Sequence, residues 1–308
     1  MKVEPGLLDI YMKMKKLFNF FFLLVVLFVL ASCNDNSKTT TIEEEPYQIY
    51  SNLSYGEYDR NVLDFYLPKD VKGDSIILFI HGGAWISGDK SFYKDYMEKL
   101  AIAGIPSFSI NYRYIAQDTK MTDLLDDIDH AVGYIKSYAK SEFDLELNQM
   151  ALFGYSAGAH LSLLYGNKYK DTSPLSPKFI VSMAGPVDLR LDSYYTSKLS
   201  YDLFSYMIGK EFDSESKATV EDDLLDVSPI KYIDSNSIPT IIVQGLKDTT
   251  VDPLNATMLK DRLDENAIPY EYITLPNSDH LLQNDKDILS NLLKSVYNYA
   301  VKYLGYRL

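Results

Sequence analysis

Five residues, Gly154-Tyr155-Ser156-Ala157-Gly158, restrict this chain more than any other stretch of it. They follow the apolar run "MALF" and lead into the small residues of "AGAHLS". A strand that turns at once into a helix forces the residue at the apex into a strained backbone conformation. The residues two before and two after then approach so closely that a Cβ would clash, and glycine relieves the crowding. The strain lifts the apex hydroxyl clear of the backbone. This is the G-x-S-x-G nucleophile elbow. Taken alone, a pattern with so few fixed positions also fits a glycine-rich turn with no chemistry, so the rest of the chain has to decide.

A length of 308 residues suits one large α/β domain or two smaller ones and can bury a substantial core. The formal charge of −13 argues against nucleic acid and other polyanions as partners. Tyrosine is abundant, at 26 residues, which suits contact with sugars or aromatic ligands, although rings half-buried in core and surface account for most of them.

The N-terminus reads as separate from the fold. Lys13, Lys15 and Lys16 precede an unbroken apolar stretch that ends in "ASCND", which is the order of a secretory signal peptide. Leu30-Ala31-Ser32-Cys33 resembles the lipobox of bacterial lipoproteins, in which the cysteine is lipidated. Cys33 is the only cysteine, so a disulfide framework is excluded. The expectation is a lipoprotein signal peptide over 1–32, a polar tether over 33–46, and a folded domain over 47–308 held in the cell envelope by a lipid on Cys33. Met12 or Met14 is an alternative start.

Within the domain, "NVLDFYLP", "SIILFI", "IPSFSINYRY", "QMALFGYS", "KFIVSMAG", "IPTIIVQG" and "YEYITLP" read as strands. Helical spacing falls between them, in "DKSFYKDYMEKLAIAG" closing on Gly104 and in a helix with Thr122 at its N-cap. The alternation implies a largely parallel sheet covered on both faces. The acidic, tyrosine-rich stretch from about 190 to 228 is too long for an ordinary connection. It reads as a small helical cap over the carboxyl edge of the sheet, where Tyr194, Tyr195 and Tyr206 would set substrate choice.

A serine hydroxyl needs a base, a group that orients the base, and an oxyanion hole. The chain has four histidines. His160 lies on the helix behind the elbow and suits a core contact, while His130 sits among acids on an amphipathic helix. His81 ends a buried strand and braces the loop after it. His280, after "LPNSD" beyond the last strand, is the expected base. Asp248, in the turn after "IPTIIVQG", is the expected acid, with Asp252 and then Asp188 as alternatives. The order Ser156, Asp248, His280 suits this architecture. Gly82, Gly83 and the N–H of Ala157 are the expected oxyanion donors. Trp85 stands either against a substrate pocket or in plain packing, and Tyr155 is a candidate substrate contact.

"HGGAWISGDK", "GYSAGAHLS", "SPI" at Ser228, "GLKDTTVD" and "LPNSDH" together resemble the α/β-hydrolase superfamily. Within it they are most similar to carboxylesterases related to hormone-sensitive lipase and to the bacterial feruloyl- and acetyl-esterase-like group. The resemblance runs from about Leu63 to the C-terminus. It implies an eight-stranded sheet, a Ser156–Asp248–His280 triad, no metal and no cofactor. Ala159 replaces a glycine found in many relatives, and Ala84 follows the Gly82–Gly83 pair, which leaves open which N–H points inward. The resulting expectation is a serine esterase acting on small or glycan-linked acetyl, feruloyl or short acyl esters. A serine amidase or peptidase on the same fold and a ligand-binding pseudoenzyme are the alternatives.

Overall fold

The computed structural model describes residues 45–307. The expected signal peptide, the lipidation site Cys33 and most of the tether lie outside the described residues. Among the described residues, no helix is long and apolar enough to cross a membrane.

Eight strands form one sheet: β1 Tyr47–Ser54, β2 Val62–Pro68, β3 Ser75–Ile80, β4 Ser107–Ile110, β5 Gln149–Tyr155, β6 Ser176–Met183, β7 Thr240–Gly245 and β8 Tyr270–Leu275. They lie in the order β1-β2-β4-β3-β5-β6-β7-β8. Only β2 runs against its neighbours, pairing antiparallel with both β1 and β4. From β4 to β8 every pairing is parallel. Parallel strands need crossover helices, and those helices bury both faces of the sheet.

The strand residues sort accordingly. Along β3, Ile76, Leu78 and Ile80 enter one core, while Ile77 and Phe79 enter the other. Along β5 the same alternation splits Met150 and Leu152 from Ala151 and Phe153. Helices Met121–Phe143, Ala157–Lys168 and Leu254–Glu265 pack on the first face through residues such as Ile128, Leu161 and Leu259. Helices Lys94–Ile102 and Leu292–Tyr303 cover the second through Met97, Leu100 and Val296.

Three local features differ from the sequence reading. The long helix starts at Met121, not after Thr122, because the Asp123 carboxylate reaches back to accept the Lys120 N–H at 2.7 Å. The strand expected over "IPSFSINYRY" is only Ser107–Ile110. Asn111 ends it by turning its amide to Asp89 and to the Lys90 N–H. Strand β1 carries no apolar alternation, with Ile49 45% exposed, because an edge strand with one solvated side needs little.

Residues 190–228 fold into 3₁₀ turns at Asp192–Tyr194 and Lys217–Val220 and helices Lys198–Ile208 and Glu221–Asp226. The segment rests on the loop after β3 and on the helix after Ser156. Phe204 meets Trp85 edge-on at 6.1 Å, and the Val227 carbonyl accepts from His160 at 2.8 Å.

Candidate active site

Strand β5 ends at Tyr155 and a helix begins at Ala157, so Ser156 alone makes the turn. Its φ of 54° and ψ of −122° are a strained combination for a residue with a side chain, costing about 1–3 kcal/mol. The framing glycines are sterically required. A Cβ on Gly154 would stand 2.1 Å from the Gly158 carbonyl oxygen, and one on Gly158 would stand 1.9 Å from that of Ile80. The Ser156 N–H donates to the Met183 carbonyl at 2.8 Å, which ties the apex to the neighbouring strand.

Asp248, the expected acid, lies in the turn after β7. Asp248 Oδ1 accepts the N–H groups of Thr250 at 2.8 Å and Val251 at 2.9 Å. Its Oδ2 faces His280 Nδ1 at 2.7 Å and takes a longer bond of 3.3 Å from the Gln244 amide. Burial opposes ionisation of this carboxyl. The bonds from His280, Val251 and Thr250 outweigh it and hold Asp248 below the usual carboxylate range.

His280 hangs on the loop after β8. Its Nε2 lies 3.0 Å from Ser156 Oγ, so the three side chains form one hydrogen-bonded line. A carboxylate can only accept, which puts the imidazole proton on Nδ1 and leaves Nε2 free to receive the serine hydroxyl. The loop is braced by a residue that the sequence reading missed. Asp285 accepts from the Asn277 N–H at 2.8 Å, from the Asn277 amide at 3.0 Å and from Ser278 Oγ at 2.7 Å. No local pattern distinguishes it from a solvated loop acid.

The alternative acids are otherwise engaged. Asp188 is buried and grips Arg190 through Nε at 2.9 Å and Nη2 at 2.6 Å. Asp252 accepts the Leu254 N–H at 2.9 Å and caps the first turn of the following helix. The remaining histidines stand apart from the serine. His130 is exposed on its helix. His160 is fully buried, donates from Nε2 to Val227 O, and accepts the Trp85 indole N–H at 3.3 Å on Nδ1.

The polar atoms of the two aromatic candidates for substrate contact bond within the protein. Trp85 is 5% exposed and spends its only polar atom on His160, so it joins the oxyanion loop to the core instead of presenting an N–H to a ligand. Tyr155 donates its hydroxyl to the His280 carbonyl at 2.6 Å, so its polar end holds the base loop. In the cap, Tyr195 is likewise internal, bonded to Leu189 O at 2.6 Å and ringed by Tyr201, Phe204 and Phe212.

Gly82 lies against Ser156, where a Cβ on the glycine would stand 3.2 Å from that of the serine. Gly83, Ala84 and Trp85 all have positive φ, so the loop after β3 is tightly coiled. Ala157 opens the elbow helix, where a first-turn N–H has no intrahelical acceptor. Gly82 thus borders Ser156 in space, and Ala157 adjoins it in sequence.

A family model described as BD-FAE matches residues 63–263, nearly two-thirds of the chain. The chain belongs to the BD-FAE family. This BD-FAE chain has the α/β-hydrolase fold, as its eight-stranded sheet and its structural neighbours agree. A bifunctional GH43-CE protein of Bacteroides eggerthii superposes with a TM-score of 0.69 at 21% identity, over 82% of this chain and 35% of that one. A probable isoprenylcysteine alpha-carbonyl methylesterase of Oryza sativa subsp. japonica is 34% identical over 116 residues. That match takes in 37% of this chain and only 28% of the plant protein. A kynurenine formamidase of Meyerozyma guilliermondii is 27% identical over 229 residues, covering 71% of this chain and 82% of that relative.

Proposed function

We propose that this BD-FAE chain is a serine hydrolase of carboxylic esters, acting on small or glycan-linked esters of acetyl, feruloyl or short acyl groups. One observation carries the reading: the line from Ser156 Oγ to His280 to Asp248, at 3.0 and 2.7 Å, on a strained elbow. Ser156 attacks the ester carbonyl while His280 Nε2 takes its proton. The oxyanion is received by backbone N–H groups among Gly82, Gly83 and Ala157. The tetrahedral adduct then breaks its bond to the alcohol oxygen, which leaves with the proton from His280. Water repeats the sequence on the acyl-serine, giving the free acid and restoring Ser156. Asp248 keeps the imidazole oriented and offsets its charge in both halves.

The names of a plant methylesterase and a GH43-CE protein support an ester over other acyl substrates. The kynurenine formamidase supports a second reading, hydrolysis of an amide by the same parts. A non-catalytic ligand-binding role is disfavoured by the intact hydrogen-bonded line. We further propose that a lipid on Cys33 holds the domain at the cell envelope, on the motif of the N-terminal sequence.

The test is hydrolysis of short acyl esters, acetylated and feruloylated polysaccharides and an N-formyl aryl amide, each with Ser156→Ala as control. Ester turnover that disappears in the variant is expected. Turnover of the amide alone would select the second reading. No Ser156-dependent turnover of any of them would reject the hydrolase.

A further inference from the structure

His81 ends β3 and touches none of the three residues aligned for proton transfer, yet its ring is held on every polar side. Its Nδ1 lies 2.7 Å from the Gly82 carbonyl oxygen and its Nε2 lies 3.1 Å from Arg60 Nη2. The Tyr112 ring stacks on it at 4.3 Å, and the Tyr112 hydroxyl donates to the His81 carbonyl at 2.7 Å. A carbonyl oxygen only accepts and a guanidinium only donates. Both contacts are therefore satisfied by one form, the neutral imidazole with its proton on Nδ1.

Arg60 is itself fixed in place. Its Nε donates to Tyr112 O at 2.7 Å, its Nη2 also reaches Gly88 O at 3.2 Å, and its plane lies 3.8 Å over the Tyr114 ring. Gly88 leaves the space through which the imidazole meets the carbonyl, since a Cβ there would stand 2.2 Å from Gly82 O and 2.4 Å from His81 Nδ1.

The carbonyl of Gly82 and the N–H of Gly83 belong to one trans peptide and point in opposite directions. With the carbonyl held against His81, the Gly83 N–H faces away from the ring. Gly82 itself lies against Ser156.

We infer that Arg60 is a positioning residue: by holding His81 in the Nδ1–H form, it turns the Gly82–Gly83 peptide so that the Gly83 N–H receives the oxyanion. The inference rests on the ester-hydrolase reading above. Without Arg60 the proton is free to sit on Nε2. The bare Nδ1 then faces the Gly82 oxygen lone pair to lone pair, and the peptide rotates away. Burial pushes His81 down to about 4, opposed by the bond to Gly82 and by Asp89 and reinforced by Arg60. The ring is neutral at pH 7, so Arg60 acts, together with the Gly82 carbonyl, on which nitrogen carries the proton and not on the charge.

The experiment compares Arg60→Met and Arg60→Lys with the parent by steady-state ester hydrolysis, thermal melting and ¹⁵N NMR of the imidazole nitrogens. Deleting an oxyanion donor outright costs about 10²–10³ in kcat, and misaiming one should cost about 10- to 100-fold. Arg60→Met should lose that much kcat with KM within about twofold, because the donor acts in the transition state. Its His81 should populate the Nε2–H form, and Arg60→Lys, which keeps a donor, should recover most of both signals. Parent-like kcat in a folded Arg60→Met, or a fall in kcat with the His81 proton still on Nδ1, overturns the inference. The NMR measurement needs no turnover, so it reports on Arg60 even if the ester-hydrolase reading fails. Should Arg60→Met not fold, His81→Asn and His81→Leu replace it. The asparagine amide still donates to Gly82 and should keep kcat within about fivefold, against a loss of about 10-fold or more for leucine; equal losses overturn the inference.

Discussion

Replacing Asp248 by asparagine isolates the orienting group while leaving its anchors in place. Oδ1 accepts two backbone N–H groups, from Thr250 and Val251, so the asparagine oxygen takes that position. Its NH₂ is then forced into the place of Oδ2, 2.7 Å from His280 Nδ1. An NH₂ donates, so the imidazole must present a lone pair on Nδ1 and carry its proton on Nε2. That proton points at Ser156 Oγ, 3.0 Å away, and the base can no longer accept from the nucleophile. A wrong tautomer of this kind costs about 10⁴ in kcat, close to 5 kcal/mol of barrier. The turn keeps both main-chain bonds, so the melting temperature should move by only a few degrees. The assay is kcat/KM on a short acyl ester beside melting curves, with Asp188→Asn and Asp252→Asn as comparisons. These two should stay within about tenfold of the parent, and Asp188→Asn should show its damage as lost stability, since it weakens the ion pair of a buried carboxylate with the half-exposed Arg190. An Asp248→Asn variant that keeps near-parent turnover while Asp188→Asn is inactive would refute the assignment of the acid.

Further outcomes are expected. His81 and His160 are both pushed down to about 4, chiefly by burial, so the unfolded chain takes up their protons first as pH falls. Stability should therefore drop between about pH 6.5 and pH 4, by roughly 3 kcal/mol for each, and level off below. Urea midpoints at pH 7 and 4.5 test this; His160→Gln should reduce the drop, and an identical drop in that variant would contradict it. Gly158→Ala places a methyl group 1.9 Å from Ile80 O and should cost about 3 kcal/mol together with most activity; parent-like melting and turnover would show that the elbow tolerates it. Cys33→Ser should lose its lipid and leave the membrane fraction, and a variant that is still lipidated and membrane-bound would dismiss the anchor.

The parts of the site that could be read in the sequence share one circumstance: each lies within five residues of the carboxyl end of a parallel strand. Ser156 follows β5, Asp248 follows β7 by three residues, and His280 follows β8 by five. Parallel strands end along one edge, so such residues meet there whatever the intervening chain does. What stayed hidden depends on pairings across long separations or on which way a side chain turns. Arg60 reaches His81 from a hairpin turn, and nothing around either residue marks the contact. Asp285 looks like any loop acid until Asn277 and Ser278 are seen to converge on it. Tyr155 reads in the sequence as a candidate ligand contact, and Trp85 as either a pocket wall or plain packing. Nothing in the sequence marks where their polar atoms bond, which is to the His280 carbonyl and to His160. Strand β1 carried no signal because its exposed pattern is that of a loop.

The bond from the Tyr155 hydroxyl to the His280 carbonyl closes a span of 125 residues onto the neighbour of the nucleophile. It fastens the loop of the base to the elbow, so the distance between Ser156 and His280 is inherited from the sheet and does not depend on how stiff that loop is by itself. The entropy of bringing base and nucleophile together is consequently spent during folding, before any acyl group arrives, and binding energy is left for the substrate's own orientation. Warming should leave the pair in register until the sheet itself gives way, so inactivation and loss of the fold should trace a single curve.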